Sequence, residues 1–117
     1  MQGRRLPVRA QHFLCGLFNS FLLNYLVRLR VTTHVTTAIV ERLPIPTAVQ
    51  AGSAFGVIAA LARRLTRAHD PDASARLQGR VARLYQLTVE EFEHVLSTFP
   101  LVSQEERAHA LRAFLSV

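Results

Sequence analysis

The sequence predicts a mainly α domain: four to five helices packed as a small bundle, with at most one short strand pair after the first helix. Three observations carry that prediction. Apolar residues recur at spacings of three and four along most of the chain, which places them on one face of a helix. Two boxes, Thr88-Val89-Glu90-Glu91 and Ser103-Gln104-Glu105-Glu106, stand just before such stretches and have the S/T-x-x-E pattern that caps a helix start. The strand–helix–strand spacing of a doubly wound sheet is missing. The chain has 117 residues, enough for one real core, and half of them are apolar, which argues against disorder.

Residues 1–10 read as a basic N-terminal segment, and residues 11–117 as a single helical domain. The first helix is expected over about residues 9–30. Leu14, Leu17, Phe18, Phe21, Leu22, Tyr25, Leu26 and Leu29 share its apolar face, and the one cysteine, Cys15, is expected buried there as a small hydrophobe. The pattern then changes. Val31-Thr32-Thr33-His34-Val35-Thr36-Thr37 is dense in β-branched residues, which favour extended backbone. A turn of helix is expected around residues 38–42. Pro44 and Pro46 then fix a rigid, extended exit. Residues 47–53 read as a boundary, because Gly52 and small polar residues interrupt the pattern.

The helical tail spans residues 54–117. Its first helix is expected over 54–69, with Arg63, Arg64 and Arg67 in the last turns complementing the dipole. Asp70-Pro71-Asp72 stops it and starts the next, over 73–85, because Asp caps well and Pro is tolerated in a first turn. Leu77, Val81 and Leu84 form the inner stripe of that helix, and Arg76, Arg80 and Arg83 form a basic stripe. The two capping boxes open helices over 89–98 and 104–115.

Formal charge is +6 and all 14 basic residues are Arg, so an anionic partner suits the chain. A membrane crossing is disfavoured. The uncharged run of residues 13–27 spans roughly 22 Å as a helix, short of the about 20 residues a bilayer needs. A single cysteine builds neither a disulfide framework nor a zinc site and fits a reducing, cytoplasmic setting. His12, His34, His69, His94 and His109 show no metal-ligand spacing, and no nucleophile–base pattern is present.

The helix end FNSFLLNYLVRLR, the TTH step, the exit IVERLPIP and the tail ARLYQLTVEEFEHVLSTFPLVSQEERAHALRAFL together resemble the C-terminal target-recognition region of type II restriction-modification enzymes of the N6-adenine DNA methyltransferase class. The resemblance runs from about Phe13 to the last residues. It implies that residues 11–46 are recognition-like, that DNA is the partner in the context of a parent enzyme, and that the parent uses S-adenosylmethionine. The Gly-rich cofactor loop and the Asn/Asp-Pro-Pro-aromatic loop that grips a flipped base are not in this sequence. The chain alone is therefore expected to hold no cofactor and to catalyse nothing.

The candidates for DNA contact are Arg28, Arg30, Thr32, Thr33 and His34, followed by Arg76, Arg80 and Arg83. Arg and hydroxyl side chains bind phosphates and reach base edges. Each also has a structural role open to it. Arg28 and Arg30 suit a helix C-terminus, the threonines suit a strand, His34 can bond its own loop, and the Arg stripe suits a solvated face. A different class of function remains open, a free-standing helical module that binds a protein partner through helix one. If that helix packs on something larger, Phe18, Phe21, Leu22 and Tyr25 would pair the isolated chain into a homo-oligomer.

Overall fold

The computed structural model describes residues 7–30 and 45–117, the side chains of Leu29 and Arg30 excepted. Seven helices occupy the described residues: α1 (Val8–Phe18), α2 (Phe21–Arg30), α3 (Ala48–Ala51), α4 (Ser53–Arg67), α5 (Pro71–Leu84), α6 (Val89–Ser97) and α7 (Gln104–Leu115). The mainly helical bundle expected from the sequence is what forms. The strand pair and the helical turn expected between residues 31 and 42 lie outside the described residues. None of the described helices is long and apolar enough to cross a membrane.

The single first helix expected over residues 9–30 is instead two, and Asn19 and Ser20 divide it. Asn19 Nδ2 donates to the Cys15 carbonyl at 2.8 Å. Ser20 Oγ donates to the Leu17 carbonyl at 2.6 Å and accepts from the Leu23 amide at 3.2 Å. One buried hydroxyl thus ends α1 and caps α2, because short polar side chains compete with the backbone for its own hydrogen bonds. A second free amide of α2, that of Phe21, donates to Gln78 Oε1 of α5 at 2.8 Å.

The expected boundary at residues 47–53 contains the short helix α3. Thr47 accepts from the Gln50 amide at 3.1 Å while Gln50 Oε1 accepts from the Thr47 amide at 2.9 Å, a full capping box. Gly52 turns the chain into α4 with φ of 59°, a conformation that favours glycine. The later boundaries follow the sequence. Asp70 caps α5 through the Ala73 amide at 3.1 Å, with Pro71 in the first turn. Thr88 and Glu91 close the box before α6. Ser103 accepts from the Glu106 amide at 3.0 Å before α7. Gln86 ends α5 in the left-handed region, φ 60°, and the Leu87 amide returns to the Ala82 carbonyl.

The helices pack in pairs around one core, with α4 also lying on α5. α1 lies on α4, where the Phe13 and Phe55 rings meet at 4.6 Å. α5 lies on α7, and Gly79 allows the close approach: a Cβ there would stand 2.7 Å from the Phe114 backbone nitrogen. α2 crosses α6, with Phe21 against Phe99 at 4.9 Å and Tyr25 edge-on to His94 at 5.8 Å. Leu17, Leu23, Ile58, Val81, Phe92 and Phe114 are fully buried between them.

Candidate nucleic-acid interface

The sequence candidates separate once they are placed. Arg28 stands on α2 and reaches across to the end of α6. Its Nη2 donates to the Thr98 carbonyl at 3.2 Å and to Thr98 Oγ1 at 3.1 Å. Its guanidinium carbon lies 4.3 Å from the centre of the Phe99 ring. Thr98 is the C-cap of α6, so a cation meets the negative end of that helix dipole. The helix terminus that Arg28 neutralises belongs to α6, not to its own helix. Arg30 closes α2, and Thr32, Thr33 and His34 lie outside the described residues.

The basic stripe of α5 also divides. Arg83 Nε donates to the Phe114 carbonyl at 3.0 Å, and its guanidinium stacks 4.3 Å from that ring's centre. Arg83 therefore fastens α5 to the end of α7. Arg76 and Arg80 instead line an open groove of about 540 Å³ between α5 and α7, together with Arg112, His109, Asp72 and Ser116. Arg76 pairs with Asp72 at 3.1 Å, both side chains being more than half exposed. Asp72 also faces His109 Nε2 at 3.3 Å. Arg112 was not among the sequence candidates. Its position four residues before Ser116 carries no signal by itself, and only the α5–α7 contact brings it beside Arg80.

Other surfaces offer less to an anion. Arg9, His12 and Arg63 border a groove between α1 and α4, but the Arg9 guanidinium is occupied over the Phe55 ring at 5.6 Å. A smaller cavity of about 220 Å³ lies under Phe21, His69, Gln78 and His109, with Glu105 and Glu106 at its wall. Among the described residues no group of three or more His, Cys, Asp or Glu is placed to hold a metal ion. Among the described residues the one resolved shift in acidity is away from these sites: burial pushes the Tyr85 hydroxyl up to about 12.

The residues expected at an oligomer contact are mostly used within the chain. Leu22 is buried, Phe21 is half-buried against Phe99, and Tyr25 is half-buried beside His94. Only Phe18, 39% exposed, stands out from that set. Cys15, expected buried, is exposed, because it lies off the face of α1 that buries Phe13, Gly16 and Leu17. The chain matches no protein-family model, no curated protein and no solved structure.

Proposed function

We propose that this chain is the C-terminal part of a restriction-modification DNA methyltransferase, in which the helices act as a scaffold for residues 31–44 against DNA. The observation that carries this reading is the way both flanks of that segment are tied down. On one side Arg28 clamps the last turns of α2 to Thr98 and Phe99. On the other, Ile45 packs against the core and Thr47 opens α3 with a full capping box. A recognition segment needs rigid flanks, because a contact to a base edge is lost when its support is loose. Thr32, Thr33 and His34 lie between those flanks, and their side chains suit phosphates and base edges. The methyl donor, S-adenosylmethionine, and the target base would be held by parts of the parent enzyme upstream of this chain. The place of such an enzyme is the cytoplasm.

The test is the DNA upstream of the Met1 codon. The expected result is a coding stretch in the same frame with a Gly-rich cofactor loop and an Asn-Pro-Pro-aromatic motif. An unrelated gene followed by a promoter for this chain would overturn the reading.

A second reading, a free-standing helical module that binds a protein, draws on one observation. Pro7, Ala10, Phe13, Leu14, Pro46 and Phe55 border an apolar groove of about 370 Å³. This reading expects partner association that is indifferent to salt, and no retention of DNA.

A further inference from the structure

We propose that the groove between α5 and α7 is a second contact with DNA, a phosphate clamp made by Arg80 and Arg112. The proposal rests on reading the chain as part of a DNA-binding protein, and it concerns a surface separate from residues 31–44.

The groove is built rather than incidental. Gly79 lets α5 and α7 approach until a Cβ would touch the Phe114 backbone, and Arg83 ties the two helices at one end. The walls are thereby fixed before any ligand arrives. Arg76 and Arg80 lie one helical turn apart on α5, about 6 Å along the axis, and Arg112 comes from the facing helix. Of these three, only Arg76 has an acidic partner, Asp72. No ion pair is seen for Arg80 or Arg112 among the described residues.

This sets the groove apart from the other basic surfaces. Arg28 and Arg83 are committed to helix ends, Arg9 to the Phe55 ring, and Arg64 to Asp70 at 3.2 Å. Arg80 and Arg112 converge on one open channel from two rigid helices. Planar guanidinium groups with several donors suit phosphate oxygens, and one DNA strand offers a charge about every 3.4 Å along its axis. Duplex DNA is the ligand to which the groove commits. It is open to solvent, as a backbone requires, and no Phe, Tyr or Trp lines it to stack a base. The contact would hold the duplex without reading its sequence.

The test is the salt dependence of binding to a labelled random-sequence duplex. Three forms of the full chain are compared: wild type, Arg80→Ala/Arg112→Ala, and Arg63→Ala/Arg67→Ala. The last removes the same two charges from the exposed end of α4. Each phosphate contact contributes about 0.9 to the slope of log affinity against log salt. The groove variant is expected to lower that slope by about 1.8, with its helical signal and melting curve unchanged, while the α4 variant leaves the slope near the wild-type value. Arg80→Lys/Arg112→Lys should keep the wild-type slope, since it keeps both charges. An equal fall in both Ala variants would mean diffuse charge and would overturn the clamp. So would a groove variant with an unchanged slope, although binding through residues 31–44 would then still stand. If the clamp slope falls while variants within residues 31–44 bind as the wild type does, the clamp stands and the scaffold reading does not. A wild-type chain that retains no duplex overturns both.

Discussion

Arg28 of α2 and Thr98 at the end of α6 are held by two hydrogen bonds from one guanidinium nitrogen, at 3.2 and 3.1 Å. The same guanidinium covers the Phe99 ring. The last turns before residues 31–44 are therefore fastened to a helix 70 residues further along the chain. Arg28→Ala removes both the bonds and the stacking. We expect a loss of about 1 kcal/mol, discounted for the exposure of the site. A melting curve should record it as a fall of about 4 °C. If Arg28 instead touches DNA directly, the variant would bind duplex more weakly and melt as the wild type does.

Two glycines in helices should respond differently to the same change. Alanine is the better helix former by about 1 kcal/mol. At Gly79 its Cβ would stand 2.7 Å from the Phe114 nitrogen and 2.9 Å from the Ala113 carbonyl carbon, so α5 and α7 must separate. Overpacking of that kind costs about 1–3 kcal/mol, and Gly79→Ala should be destabilising in urea. At Gly56 the obstruction is the Arg9 guanidinium tip at 2.6 Å, which can swing aside. Gly56→Ala should change stability by less than about 0.5 kcal/mol. Equal losses at the two positions would contradict the close α5–α7 approach.

Much of the fold was legible because its signals are local. Asp70-Pro71, Thr88–Glu91 and Ser103–Glu106 cap helices where those residue types predict. The break at Asn19-Ser20 was legible too, in two short polar residues inside an apolar run, but the three-and-four spacing continues through it and conceals it. Thr47-Ala48-Val49-Gln50 had the capping-box pattern, yet Gly52 beside it read as a loop. The site was less legible. Which arginines are free depends on pairings between distant helices. Arg28 meets Thr98, Arg83 meets Phe114, and Arg112 meets the α5 groove, and no spacing within one helix states any of these. Within the first apolar run, Leu17 and Leu22 are buried where the spacing predicts, whereas Leu23 is buried off that face, Phe18 is exposed, and Phe99 covers Phe21 from within.

The Tyr85 hydroxyl predicts an alkaline limit to stability. Burial raises it from 10.0 to about 12. The unfolded chain releases this proton near the ordinary value, while the folded chain keeps it until about 12. Between those values the unfolded state binds fewer protons, so stability falls as pH rises. Below the ordinary value the contribution is whole. Urea denaturation at a series of alkaline pH values should show the decline, and Tyr85→Phe should flatten it.

Cys15 gives a direct check on which face of α1 is buried. Its thiol lies off the buried face formed by Phe13, Gly16 and Leu17, with Asn19 Nδ2 3.4 Å from the sulfur. An aromatic disulfide reagent should titrate one thiol in the native protein without denaturant. A thiol that reacts only after unfolding would contradict this placement of α1.

The central claim, that the helices present residues 31–44 to DNA, is tested most directly by Thr32→Ala/Thr33→Ala/His34→Ala in the full chain. The measurement is the affinity for a labelled duplex at low salt, set beside the melting curve of the same sample. The account predicts a loss of affinity of about tenfold, the scale of one or two hydrogen bonds, with melting unchanged because the flanks at Arg28 and Thr47 are intact. Unchanged affinity in the triple variant, or a wild-type chain that retains no duplex at low salt, would contradict it.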